Sequence, residues 1–505
     1  MGMAVVLYSS VAFAAALIIV GLAQHKRRTS MLPPGPPGDP LIGNLLRMPS
    51  KDSALVFHEW SKTYGPVMLL KVLGRPMIIL DSYQAAVDLL DKKGLIYSDR
   101  PKFTLYELLG WDPTLTFLQY GEKFNKHRQM HQSYLSRSRL EDFKSIQTQE
   151  ARTLLRHLIQ CPPDKYETFV SRFATGIITQ IVAGHRITSE DDPYLRMSDI
   201  VSKAMSNTGP PGGSPIDFFP LLQHFPAWFP GASHIGVVKA YRTTVRELHE
   251  HPVRVVKTQQ EHGEALPSFV LDRLEQMEDG EDVEDLKGSA ATMFAAGETT
   301  TWSTLTVFII AMVLHPEIQA KAQKEIDFIV GDLRLPEFGD RGDLPFVEAI
   351  LQETLRSNPV LPLGVPHRAT ENDVYNGMLI PKGALIFANI KGMALDESVY
   401  SNPLSFQPER FLAKPGGAGE PHFNQAFGFG RRICTGQYVA DNSLWIAIAS
   451  ILATCKITNA VDESGEIIVP DNTLTDGLVS HPNDMRCTIV PRSRGAKALI
   501  LEAAV

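Results

Sequence analysis

Cysteine is scarce in this chain, with four residues in 505. A secreted disulfide scaffold is far denser in cysteine, so that class is excluded. No Asn lies in an Asn-x-Ser/Thr sequon, so nothing marks a glycosylated, lumenal body. Basic residues are no majority: 49 Lys and Arg stand against 56 Asp and Glu, a net charge of −7. Nucleic-acid binders usually carry the opposite balance or a basic stripe. Internal repeats and low-complexity tracts are also absent. The rest of the composition, with 44% hydrophobic and 21% charged residues, is that of an ordinary globular protein.

Long apolar runs are few, and the first is terminal. Residues 3–23 carry no charge, and His25, Lys26, Arg27 and Arg28 follow at once. At ~1.5 Å per residue this run covers the hydrocarbon thickness of a bilayer. The basic flank orients the N-terminus to the lumen and the body to the cytosol. A cleaved signal peptide is the competing reading, but the basic n-region it needs is missing. We therefore expect a single transmembrane anchor with its basic flank at 1–28. Pro-rich residues at 32–40 (L-P-P-G-P-P-G-D-P) predict a stiff hinge over 29–45. One large domain is expected over 46–505.

The body reads as mainly α with small β sheets, an α+β class. Residues 67–72 and 76–80 flank Leu73, Gly74 and Arg75 and predict a hairpin. Helical periodicity dominates from about 120 to 330, broken by the Pro- and Gly-rich stretch 207–220. Strand signals return at 374–388, with a turn at Asn376-Gly377. The longest predicted helix covers about 283–314, with acids at its start and Pro316 beyond its end. Its apolar end, 305–314, is too short to span a bilayer and reads as core. Inside it lie Glu298, Thr299, Thr300 and Thr301, a polar group that is costly to bury without partners. Threonines that bond back to the preceding turn are the plain structural reading of that group.

The densest local signal is F-G-F-G-R-R-I-C-T-G at 427–436. Its glycines allow the backbone to turn tightly against a flat, bulky group. Backbone N–H groups and neighbouring Arg favour a thiolate at Cys434. A lone thiolate without a CxxC or His partner does not suit zinc, and haem iron is the better match. Cys161, Cys455 and Cys487 have no such surroundings.

This loop resembles the F-G-x-G-x-R-x-C-x-G haem loop of the cytochrome P-450 monooxygenases at every fixed position, and the resemblance covers the chain from the anchor onward. It implies the cytochrome P-450 fold and heme b bound axially through Cys434. Phe427, Gly428 and Gly436 belong to the same loop, and Arg432 pairs with a haem propionate. E-T-L-R at 353–356 and P-E-R-F at 408–411 match two further family motifs. By resemblance Glu353, Arg356 and Arg410 form a buried charged cluster, in which one carboxylate serves two guanidinium forks. Arg368, after Val365-Pro366-His367, resembles a second propionate anchor, and Arg128 a third.

Two departures from the family stand out. Phe124 occupies the place of the usual Trp four residues before Arg128, which removes an N–H donor; His127 or solvent is a candidate substitute. In A-A-G-E-T-T-T at 295–301 two registers fit the family's A-G-x-[DE]-T-[TS], one giving Thr299 the oxygen-site role and one giving it to Thr300. The spacing to His315-Pro316 favours Thr300, which leaves Glu298 one position early for the proton-delivery carboxylate.

The resemblance implies an enzyme that uses dioxygen as co-substrate, with electrons from NADPH through a separate NADPH-cytochrome P-450 reductase. It also implies an endoplasmic reticulum membrane location with a cytosolic catalytic domain. The pattern is similar to the fungal microsomal branch serving secondary metabolism, with terpenoid substrates favoured and aromatic polyketides or alkaloids as other options. Expected pocket walls are Phe103, Tyr106, Leu109, Trp111, Met293, Phe294, Leu361, Leu363, Leu478 and Val479, whose apolar character suits a small hydrophobic substrate. The aromatics at 225–231 suit a membrane interface. The alternatives are a thiolate-haem isomerase or dehydratase that does not use dioxygen, and a non-catalytic haem-binding membrane protein.

Overall fold

The structure, a computed structural model, describes residues 31–502 except 161, 163, 164, 210, 211, 279–282, 472 and 485. The expected anchor at 1–28 lies outside the described residues. The helices that build the site are α1 (Glu122–Tyr134), α2 (Leu140–Gln160), α3 (Tyr166–Ala183), α4 (Pro193–Asn207), α5 (His234–Glu261), α6 (Val283–Leu314), α7 (Pro345–Ser357) and α8 (Gln437–Thr454).

Helix α6 is the axis of the helical region. Glu284 and Asp285 sit in its first turn, where carboxylates complement the helix dipole. Pro316 opens the next helix and so closes this one. Almost all of 305–314 is buried, so this apolar stretch is core. Alone among the described helices it is long and apolar enough to cross a membrane, yet most of it is inside the protein. Helix α3 crosses it at Gly297, where a Cβ would come within 2.8 Å of the Ile178 side chain. Any larger residue at 297 would push the two helices apart.

Four short strands form the main sheet, in the order β1 (Val67–Val72), β2 (Arg75–Leu80), β6 (Leu385–Ala388), β3 (His367–Arg368). The β1–β2 hairpin turns at Leu73 and Gly74, both with positive φ. A second hairpin, β4 (Asp373–Tyr375) with β5 (Met378–Ile380), turns at Asn376-Gly377, again with positive φ at both residues. Strand β7 (Cys455–Val461) pairs with β8 (Ile467–Ile468) and β9 (Cys487–Pro491) beyond α8.

Two segments differ from expectation. Residues 83–93 read as helix in the sequence, and the structure opens this helix into wider π turns over Val87–Lys92. The Pro-rich segment is docked on the body and is not a free spacer from residue 31 onward. Pro34 O accepts from Leu69 N at 2.9 Å, and Lys71 N donates to Asn44 Oδ1 at 2.8 Å. A Cβ at Gly35 would lie 2.0 Å from Leu69 O, so only glycine permits this approach to β1.

Candidate active site

The site is a cavity of about 240 Å³ between the middle of α6 and the loop that leads into α8. From α6 it takes Thr292, Ala296, Thr300 and Thr304, spaced four apart and therefore on one helix face. Thr300 Oγ1 donates to Ala296 O at 2.7 Å, and Thr304 Oγ1 to Thr300 O at 2.8 Å. Thr292 Oγ1 donates to Gly288 O and accepts from Leu115 N at 2.9 Å. Ala296 keeps exposed surface in the middle of a buried helix because it fronts this space.

Opposite in sequence but sharing the cavity is Cys434, a free cysteine with exposed surface. Positive φ at Gly428 and Gly430 lets the loop fold in, and a Cβ at Gly430 would lie 2.3 Å from Leu90 O. Cys434 N donates to Phe427 O at 2.9 Å. Burial within the body pushes the thiol pKa up, against the lowering pull of the Gly436 N–H and the Arg128 charge. The charge that acts on the sulfur comes from Arg128, and the adjacent Arg431 instead bonds the Tyr120 hydroxyl.

Three guanidiniums line the same cavity: Arg100, Arg128 and Arg432. All three spend their donors on carbonyls. Arg100 bonds Val365 O at 2.6 Å, Pro366 O at 2.7 Å and Thr116 O at 3.1 Å. Arg432 bonds Ser98 O at 2.8 Å, Leu118 O at 2.7 Å and Leu115 O at 3.2 Å. Arg128 bonds Ile433 O. Among the described residues no carboxylate pairs with any of them. Burial, followed by the charge of Arg432, holds Arg100 well below the usual guanidinium range. Arg432 is lowered to about 9, again chiefly by burial. Asp99 acts on Arg100 and Arg432 through its charge but bonds neither of them. Enclosed cations that no carboxylate bonds are expensive, and they mark a place for an anionic ligand. A flat dianion carrying a metal that accepts one thiolate fits this donor set, and haem is such a group.

The comparisons with known proteins agree. The cytochrome P450 family model matches residues 33–487. The chain belongs to the cytochrome P450 family. It is 39% identical over 485 residues to a cytochrome P450 monooxygenase of Armillaria gallica, covering 94% of this chain and 95% of that protein. It is 38% identical to the cytochrome P450 monooxygenase claR of Ampulloclitocybe clavipes, covering 95% and 90%, and 37% identical to cytochrome P450 monooxygenase 136 of Postia placenta, covering 95% and 92%. The chain is thus a monooxygenase of the fungal cytochrome P450 type, and the family implies a haem-thiolate centre and dioxygen.

Within this cytochrome P450 the structure sorts the sequence candidates. Thr300 fronts the cavity; Glu298 and Thr299 do not. Glu298 is fully buried on the far side of α6, where Ser171 of α3 donates to Oε1 at 3.1 Å and Ser202 of α4 to Oε2 at 3.0 Å. Thr299 Oγ1 bonds the same Oε2 at 2.8 Å. One residue along a helix turns a side chain by about 100°, which separates these neighbours from Thr300.

Arg368 also points away from the cavity. It is half-exposed and bonds Asp99, with Nε at 2.7 Å from Oδ2. Successive strand residues face opposite sides, so His367 is the one that lines the cavity. Phe124 lies under Arg432, whose guanidinium carbon is 3.8 Å from the ring centroid, so the ring supports that cation by stacking. His127 does not substitute for the missing donor, because its Nε2 meets Asp285 at 3.1 Å away from the cavity.

The expected charged cluster is fully assembled and buried. Glu353 receives Arg356 at 2.7 and 2.8 Å, Arg410 at 3.1 and 3.2 Å and Gln407 N at 2.7 Å. Glu420, which the motifs do not mark, adds a second carboxylate, 2.8 Å from Arg410 Nη1.

Of the expected pocket walls only Leu361 lines the main cavity. Met293 lines an adjoining space of about 100 Å³, and Leu363 and Leu478 line a separate one of about 70 Å³. Phe103, Leu109 and Val479 are packed as core. Tyr106 stacks on Phe117, while Phe294 packs at a tilt against Tyr194 and Trp111 against His249. Leu115, Thr116, Val360 and Val365 also line the main cavity and fall in the segments 103–117 and 360–365 that the resemblance gives to the pocket, whereas Arg100 lies outside every such segment. Its signal was weak, because it lies in a loop without periodicity.

Proposed function

We propose that this cytochrome P450 hydroxylates or epoxidises a small hydrophobic substrate in secondary metabolism, terpenoid by preference, with electrons from NADPH through a separate reductase. The observation that carries the reading is that Thr300 and Cys434 open onto one largely apolar cavity rimmed by three guanidiniums, none of them bonded to a carboxylate among the described residues. Cys434 would supply the sulfur that holds the iron, and Arg100, Arg128 and Arg432 would bind the haem carboxylates. When bound, thiolate-ligated haem supplies dioxygen activation and transfer of one oxygen atom to carbon. Leu115, Val360, Leu361 and Val365 exclude water and suit an apolar substrate. The Thr300 hydroxyl offers a proton at Oγ1 and an acceptor for one water. Glu298 takes no part in that delivery, because its oxygens are engaged by Ser171, Ser202 and Thr299.

The protein sits on the endoplasmic reticulum membrane in this reading. Support comes from the uncharged run at 3–23 and from exposed Trp228, Leu221 and Phe219, which suit an interface. Reconstitution with a reductase, NADPH and a terpenoid panel tests the proposal. Substrate-dependent NADPH consumption with an oxygenated product is expected. Product formed without NADPH or dioxygen would overturn it in favour of an isomerase.

A further inference from the structure

His131 is a buried histidine that the reaction described above does not use. It stands on α1 between α6 and the Cys434 loop. Its Nε2 lies 3.1 Å from Ser289 O of α6, and its Nδ1 lies 3.3 Å from Thr435 Oγ1, next to the sulfur. A carbonyl only accepts, so Nε2 carries the proton. Burial lowers the ring to about 3, so it is neutral and Nδ1 accepts from the Thr435 hydroxyl. Both nitrogens therefore have partners, unlike buried His127 and His249, which each leave one nitrogen without a partner. His131, Cys434, Thr435 and Gly436 together line the adjoining cavity of about 100 Å³, so the loop has free space on this side.

We propose that His131 is a positioning residue for the Cys434 sulfur. It ties Thr435 to α6 and so fixes the short loop whose Gly436 N–H bonds that sulfur. The inference rests on Cys434 being the haem ligand. Outer partners of metal ligands act in this way, by holding ligand orientation. The strut also spans the site, because Ser289 lies on the helix that carries Thr300.

The test compares full-length holoproteins carrying His131→Leu, Thr435→Val, both together, and His131→Gln. The readout is the rate at which the reduced, CO-bound thiolate Soret band converts to the thiol-type band on mild heating, followed beside far-UV circular dichroism. Each of the first two variants should convert about tenfold faster at an unchanged unfolding temperature. The double variant should be no faster than either single one, because both break the same link. His131→Gln keeps a donor and an acceptor and should restore most of the wild-type rate. Thr435→Val keeps side-chain volume, so it reports even where His131→Leu folds poorly. Wild-type rates in Thr435→Val, or additive effects in the double variant, would overturn the strut. A wild-type protein with no thiolate band at all would sink the ligand reading as well.

Discussion

Two of this protein's groups of buried or half-buried arginines differ in one respect. Behind the Cys434 loop, Arg356 and Arg410 meet Glu353 and Glu420, so two cations face two carboxylates inside the fold. At the cavity, Arg100, Arg128 and Arg432 hydrogen-bond to carbonyls and to no carboxylate among the described residues. The first group is electrically complete and belongs to the fold. The second is incomplete, and what completes it must come from outside the chain.

Removing Glu353 should turn the first group into the second, with no ligand to relieve it. Glu353→Ala leaves two buried guanidiniums facing one remaining carboxylate and should cost about 3–5 kcal/mol. Little folded holoprotein is expected by haem content and thermal unfolding; normal yields would break the comparison. Arg432→Met probes the other side, where the sign should depend on the ligand. Without haem the variant should be as stable as the wild type or more so, because a buried charge that no carboxylate bonds is gone. With haem it should lose about 2–5 kcal/mol of binding, read as faster transfer to a haem scavenger. Equal destabilisation of both forms would place Arg432 with the structural group.

How far the sequence disclosed this contrast depends on how local each pattern is. Cys434, Glu353, Arg356 and Arg410 sit in short motifs whose residue types and spacing are themselves the chemistry. Arg100 and Glu420 gain meaning only from contacts that no motif spans: Arg100 bonds Val365 O across 265 positions. Arg368 and Glu298 turn on facing, which a motif does not encode. Strand β3 sends His367 to the cavity and Arg368 to Asp99, and α6 sends Thr300 inward and Glu298 toward α4. The pocket walls failed for the same reason, since an aromatic next to a lining residue faces its own neighbour, as Phe294 faces Tyr194 beside Met293.

Facing also orders the smaller predictions. Thr300→Ala should keep the fold and haem but lower product per NADPH roughly tenfold, with hydrogen peroxide making up the difference, because water replaces the hydroxyl only in part. Thr299→Ala should change coupling far less; the reverse ranking would restore the other register. Glu298→Gln should have the smallest effect, and it should depend on pH. Burial raises the folded carboxyl pKa above its unfolded value. A carboxyl with a raised folded pKa contributes stability at low pH and loses it as pH rises through that pKa. The Gln variant should therefore gain on the wild type as pH rises from acid to neutral, seen in unfolding midpoints. A constant loss at every pH would mean that the hydroxyl cluster needs the carboxylate.

Monooxygenase chemistry in this protein requires Cys434 to meet a haem in the cavity that Thr300 and the three arginines share. The reduced, CO-bound spectrum of wild type and Cys434→Ser tests this most directly. The wild type should give the red-shifted Soret band of thiolate ligation, and Cys434→Ser should lose it. Survival of that band in Cys434→Ser would contradict this requirement.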